Sequence, residues 1–255
     1  MAFNLDCRSG QKALDSLARG FQCTPEELRA TLLSIDLDEL YEERHRAPSV
    51  PAEQYLYEYA VKKLGGHLEL SSVVWFHCTR TSADNTFIDG ISPLNESLEK
   101  VWDILLACAP EKTIRRNLLT MKEKGVKDDL YALRTQNSFH WGPYGILVRD
   151  IAFIAEDLWQ HDYLKMPELV EDICNAYRLD HGVSLYTHYS EALKPKIVSF
   201  KSTHRLDSGC VESALGYAYR YIRGHSLDCM SVTGIDCEGV AISPEQITGI
   251  ETLAP

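Results

Sequence analysis

Three side chains that can hydrogen-bond, His77, Cys78 and Thr79, follow directly on Val73-Val74-Trp75-Phe76, a run of β-branched and aromatic residues unbroken by charge. Such a run reads as a strand buried on both faces, so the polar groups at its end need partners. A packing histidine bonded to a backbone carbonyl is the ordinary answer. The other is a ligand: an imidazole near neutral pH and a threonine hydroxyl can each hold a hydroxyl or an amide. Neighbours on a strand point to opposite faces, which argues strongly against a Cys–His nucleophile pair. His140, His161, His181 and His188 match no metal-ligand spacing.

A polar turn then leads to Asn85, Phe87 and Gly90-Ile91-Ser92-Pro93. In order and spacing, His77-x-Thr79, Asn85, Phe87, Gly90-Ile91 and Pro93 resemble the first motif of the ADP-ribosyltransferase superfamily. The branch is the diphtheria-toxin-like and poly-ADP-ribose-polymerase-like one, with its tRNA 2′-phosphotransferase and DarT-like relatives. The chain departs from that pattern at Cys78, where the family usually has a glycine whose backbone grips nicotinamide. The middle motif of the family is a tyrosine stacking on nicotinamide, and Tyr144 in Gly142-Pro143-Tyr144-Gly145 matches it, with Tyr217 as the second choice. Pro244-Glu245-Gln246-Ile247 resembles the third motif, which carries the catalytic glutamate; Glu245 is the match.

The resemblance implies NAD as substrate and transfer of its ADP-ribose with release of nicotinamide. Breaking the nicotinamide–ribose bond passes through an oxocarbenium-like transition state, the same electrostatic problem as glycoside cleavage. Glu245 would stabilise the developing positive charge and orient the acceptor, while His77, Cys78, Thr79, Asn85, Gly90 and Tyr144 hold the dinucleotide. The acceptor, protein or nucleic acid, is not identified by the resemblance. A fold does not fix an activity, so a catalytically inactive module binding NAD, ADP-ribose or a protein through the same cleft is the alternative, and Cys78 favours it.

The elements expected to position these residues form an α+β fold: a split antiparallel β-sheet core of the ADP-ribosyltransferase type, with helical insertions and an N-terminal helical extension. Residues 1–66 are the expected extension and residues 67–255 the catalytic domain. Ala13, Leu14, Leu17 and Ala18 share one helical face, and Thr24-Pro25-Glu26-Glu27 supplies an N-cap, a first-turn proline and acids at the positive end of the dipole. Beyond Pro93, helices are expected over residues 95–108 and 112–124, the second of them basic, and from Pro167 to Cys174. Strands are expected over 181–186, 196–202, 230–232 and 239–242 and in a last segment ending at Leu253, with a helix over 210–222.

Composition bounds the partners. The 255 residues are enough for a substantial core, and a formal net charge of −11 repels phosphate backbones, so strong general nucleic-acid binding is not expected. The eight cysteines show no Cys-x-x-Cys pair, which points to free thiols in a reducing, cytoplasmic setting. The start, Met1-Ala2-Phe3-Asn4-Leu5-Asp6, lacks the pattern of a secretory leader, and no run approaches the length of a membrane span. A toxin-like protein delivered by a specialised route would carry no such mark.

Overall fold

The computed structural model describes residues 2–42, 49–65 and 68–254. Among them lie ten α-helices and six strands, an α+β architecture in which the strands join one open sheet of order β5-β3-β2-β4-β6, with β1 paired to β2. The strands are β1 (Phe3–Asp6), β2 (Leu70–Thr81), β3 (Tyr144–Ile146), β4 (Lys194–Ser202), β5 (Gly234–Asp236) and β6 (Ile247–Thr252). Strand β1 runs parallel to β2, with Leu5 opposite Val73 and Asp6 opposite Val74. Antiparallel pairs join β2 to β3 at Phe76 and Ile146, and β4 to β6 from Lys196 opposite Thr252 to Phe200 opposite Ile247.

The chain divides into two compact units. One comprises residues 1–76, 146–158 and 201–235; the other comprises 77–145, 159–200 and 236–255. The boundary expected between residues 66 and 67 lies outside the described residues, and this division does not run along it.

The first unit is mainly helical. It holds α1 (Gly10–Phe21), α2 (Pro25–Leu33), α3 (Leu37–Glu42), α4 (Ala52–Leu64) and α10 (Ser208–Arg223). Thr24 caps α2 through a reciprocal bond with Glu27, as the Thr-Pro-Glu-Glu pattern predicts. Helices α1, α2 and α4 pack on α10, and Leu14, Leu17, Leu28 and Leu56 of the first three and Ala214, Leu215 and Ala218 of α10 are all buried. The Tyr219 hydroxyl accepts from the Leu37 backbone N–H at 3.0 Å. The extension expected to be all helical thus begins with a strand. Four residues, Phe3-Asn4-Leu5-Asp6, are too few to show periodicity and gain their strand character from a partner 67 to 68 positions away.

The second unit carries the C-terminal end of β2 and α5 (Leu94–Ala107), α6 (Lys112–Lys124), α7 (Asp129–Gln136), α8 (Glu168–His181) and α9 (Tyr186–Ala192). Its core includes Trp102, Leu105, Leu118, Leu169, Ile173, Tyr177 and Tyr189. Two expected strands are absent from the described residues. Residues 181–186 instead end α8 at the left-handed Gly182 (φ 71°) and open α9. Residues 229–231 form a 3-10 turn in which Asp228 accepts from the Met230 N–H. Segment 239–242 contributes one isolated bridge, Ile242 to Ile91.

Candidate functional site

The end of β2 opens into a cavity of about 310 Å³ that lies wholly within the second unit. Its walls include His77, Cys78, Thr79, Asn85, Gly90 and Tyr144, so six of the eight residues selected from sequence share one hollow. Tyr217 and Glu245 are not among the lining residues.

His77 is fixed by a single bond. Its Nδ1 lies 2.8 Å from the Tyr144 carbonyl, and since a carbonyl can only accept, Nδ1 carries the proton. In the neutral ring, Nε2 is then a free acceptor. Burial holds the imidazole pKa below its ordinary value, and the bond to the Tyr144 carbonyl only partly offsets this. Neutral His77 is therefore the resting state, able to accept from a ligand hydroxyl.

The turn after Thr79 is held from two sides. The Asn85 amide donates to Thr81 Oγ1 at 3.2 Å, and its Oδ1 accepts from the Phe87 N–H at 3.0 Å. Both ends of that side chain are used within the turn, which makes Asn85 a shaping residue of the wall. Phe87 sits at φ 52°, a conformation costing roughly 1–2 kcal/mol for an L-residue. Lys196, only 3% exposed, donates its ammonium to the carbonyls of Ala83 (3.0 Å) and Asn85 (2.6 Å) and so pins the same turn to β4.

Gly90 requires its glycine. At φ 84° an L side chain is strained, and a Cβ there would collide with the Ile242 carbonyl oxygen. Ile91 and Ile242 exchange two backbone bonds of 2.9 Å each. The 3-10 turn Pro244–Gln246, which carries Glu245, begins two residues later, so the segment bearing Glu245 is tied by backbone bonds to the rim formed by Gly90 and Ile91. Glu245 itself is exposed, and a hydrogen bond from Ser243 holds its carboxyl below the usual range.

Tyr144 borders the cavity with its hydroxyl donating to the Phe139 carbonyl at 2.9 Å. Burial, with Asp236 and Glu168 nearby, pushes that hydroxyl up to about 12. Tyr217 lies in the helical unit instead, buried on α10 with its hydroxyl donating to Asp150 at 2.6 Å. Its inward helical face selected it from sequence, and that face packs a core.

Several polar wall residues, Arg80, Arg134, Tyr163 and Glu168 among them, were not selected from sequence. Arg80 donates from Nε to the Leu193 carbonyl (3.1 Å) and from Nη1 to those of Leu164 (2.6 Å) and Lys165 (3.3 Å). Arg134 on α7 bonds Glu168 at 2.9 Å and Asp172 at 2.6 Å, and the Tyr163 hydroxyl donates to Glu168 at 2.7 Å. Burial alone would raise Glu168, but the bonds from Arg134 and Tyr163 outweigh it and keep the carboxyl below its usual range. Asp172, more deeply enclosed, is pushed by burial up to about 6 despite the same guanidinium. The one signal in the sequence for this group was the pair Glu168 and Asp172 at i, i+4 on a predicted helix; Arg134 lies 34 residues earlier.

Among the described residues no group of three or more His, Cys, Asp or Glu is arranged to hold a metal ion, and no helix is long and apolar enough to cross a membrane. None of the eight cysteines is paired in a disulfide. No protein-family model, curated protein or solved structure matches this chain.

Proposed function

We propose that the cavity binds NAD and that the protein transfers ADP-ribose from it, releasing nicotinamide. The observation that carries this reading is the convergence of His77, Cys78, Thr79, Gly90 and Tyr144 on one hollow whose rim is bonded to the turn bearing Glu245. The residues before Gly90 and those after Ile242 are about 150 positions apart in sequence, and nothing in local propensity requires them to meet.

In this reading neutral His77 accepts a ribose hydroxyl at Nε2 and Thr79 donates or accepts beside it. The Tyr144 ring flanks nicotinamide. The glycosidic bond breaks with its electron pair leaving on nicotinamide, and a carboxylate stabilises the cationic ribose. Glu245 is assigned that role over Glu168, because the charge of Glu168 is neutralised by Arg134 whereas Glu245 is ionised at neutral pH.

The test is incubation of the purified protein with adenylate-labelled NAD and cell lysate, reading both free nicotinamide and macromolecular label. Glu245→Gln is expected to lower nicotinamide release by about 10²-fold, the usual cost of losing one charge-stabilising group, with the melting temperature unchanged. Full activity in that variant would remove Glu245 from the chemistry.

A second reading, a binding module without catalysis, is favoured by one observation. The carboxylates that line the cavity, Asp89 and Glu168, are each paired, to Lys100 at 3.5 Å and to Arg134. Saturable NAD binding in calorimetry with no nicotinamide released by the wild-type protein would select it.

A further inference from the structure

The open sheet has two edges of different kinds. One ends on β5, three residues long, and so short an edge offers little to pair with. At the other lies β6, six residues reading Ile247-Thr248-Gly249-Ile250-Glu251-Thr252, rich in β-branched side chains and free of proline and lysine. A strand of this kind is a template for further pairing unless something blunts it, and Glu251 is its one charged side chain. Thr248, Ile250, Glu251 and Thr252 are all exposed, Ile250 by 39%.

The pairing with β4 decides which backbone groups are open. Leu253 donates its N–H to the Pro195 carbonyl at 2.9 Å, and Thr252, Glu251, Ile250 and Gly249 lie opposite Lys196, Ile197, Val198 and Ser199. Opposed residues in an antiparallel ladder alternate between bonded and non-bonded pairs. Since Leu253 is bonded to Pro195, the next bonded pairs are Glu251 with Ile197 and Gly249 with Ser199. Ile250 and Thr252 therefore turn their N–H and C=O groups away from β4. Among the described residues nothing bonds those four groups.

An extended polypeptide backbone fits them, because it presents donors and acceptors alternately at the spacing of a strand. A helix has spent its own, and a phosphodiester chain has no donor to offer the carbonyls. Charge narrows the choice further. Glu245, exposed and ionised, stands two residues ahead of β6, and the chain as a whole carries −11. A basic segment is attracted there, whereas an acidic one or a second copy of this chain is repelled.

We infer that β6 is the docking edge for an extended, basic polypeptide segment, which joins the sheet as a seventh strand. A segment paired from Thr252 back to Ile247 reaches the 3-10 turn that bears Glu245. Resting on the function proposed above, that segment is the acceptor; the docking itself needs no NAD.

The test is fluorescence anisotropy of a fluorescein-labelled octapeptide of alternating lysine and valine, titrated with the full-length protein without NAD. Saturable binding is expected. N-methylation throughout the peptide removes its backbone donors and keeps its charge, and should weaken binding by at least about tenfold, as should glutamate in place of lysine. Ile250→Pro deletes an outward N–H and no bond to β4, so it should weaken binding by a similar factor while the melting temperature holds. Thr252→Pro repeats the test at the other outward position.

Absence of saturable binding to the folded wild-type protein would overturn the inference. So would equal affinity for the N-methylated peptide, or unchanged affinity in both proline variants. A wild-type protein that elutes as a dimer, with proline variants that elute as monomers, would seat a second copy on the edge instead. Peptide binding to a protein that releases no nicotinamide would leave this docking edge standing and sink the function proposed above; nicotinamide release without peptide binding would do the reverse.

Discussion

His77 and Arg80 show how much of the site rests on backbone carbonyls. The Tyr144 carbonyl selects the Nδ1-protonated tautomer of His77, and burial keeps the ring neutral. Because the folded-state pKa is depressed, the unfolded chain binds the proton more readily. His77 therefore adds to stability above its ordinary value of about 6.5, and that contribution is lost as pH falls through the window below it. A proton NMR titration of the His77 ring is expected to give a midpoint below that of a surface histidine in the same spectrum; an equal or higher midpoint would mean the ring is not desolvated. Arg80 presents the opposite case, a cation whose three bonds all run to carbonyls, two on adjacent residues Leu164 and Lys165 and one on Leu193. Arg80→Met would leave those acceptors in a half-buried setting without partners, and a loss of about 2–4 kcal/mol in denaturant unfolding is expected. Arg80→Lys should recover little of it, since an ammonium lacks the planar fork that reaches Leu193 and Leu164 together. The motif from His77 to Gly90 was legible because chemistry, turn and glycine lie within 14 consecutive positions. Arg80 lies inside that stretch and was passed over, because a charged residue at a strand end reads as solvated until its carbonyl partners, 84 to 113 positions away, are known.

Helices α7 and α8 are joined by one guanidinium. Arg134 reaches Glu168 in the first turn of α8 and Asp172 one turn later, and the two carboxylates lie on one face only because they are four residues apart. Removing the cation would leave two enclosed carboxylates side by side. Arg134→Leu is expected to cost about 3–5 kcal/mol at neutral pH. The sign of its pH dependence follows from Asp172, whose folded-state pKa is raised to about 6. The folded protein binds that proton more readily than the unfolded chain, so lowering the pH through 6 stabilises the fold through this group. Chemical denaturation of Arg134→Leu at pH 7 and pH 5 should show part of the lost stability restored at the lower value; equal losses at both would mean that Asp172 is not left charged by the substitution. The helices themselves were legible where a cap marks the start, as at Thr24-Pro25, or where an apolar stripe runs long, as in α5. The strand expected at residues 181–186 fails for a local reason: Val183, Leu185 and Tyr186 suggest strand, but Gly182 in the left-handed region closes α8 and Tyr186 begins the next helix. For the pairing across α7 and α8 the sequence offered only the i, i+4 spacing of Glu168 and Asp172, with no sign of Arg134 as their partner.

At the scale of the whole chain, neither compact unit is a continuous piece of sequence. The helical unit takes residues 1–76, 146–158 and 201–235, and the cavity unit takes the three segments between and after them. An amphipathic N-terminal run followed by an apolar strand reads as an appendage before a domain, since nothing in residues 10–64 names the partner of their apolar faces. That partner is α10, more than 140 positions further on, whose Ala214, Leu215 and Ala218 are fully buried where α1 and α4 pack. Strand β1 also supplies the edge partner of Leu70–Val74 in β2. A chain consisting of residues 67–255 would retain every residue that lines the cavity, yet it would expose the inner face of α10, leave Tyr219 without its bond to Leu37 and strip β1 from β2. Exposing several fully buried aliphatic and aromatic side chains costs about 1.5–3 kcal/mol each, which together exceed the net stability of an ordinary domain. Such a fragment is therefore expected to aggregate, or to elute as an expanded species without a cooperative thermal transition, although its cavity segment is intact. The control is the same fragment supplied with residues 1–66 as a separate chain. Recovery of a cooperative melt on mixing would show that the lost packing, and not the break in the chain, caused the failure. A 67–255 fragment that melts cooperatively alone at the temperature of the full-length protein would instead establish residues 1–66 as a separable appendage.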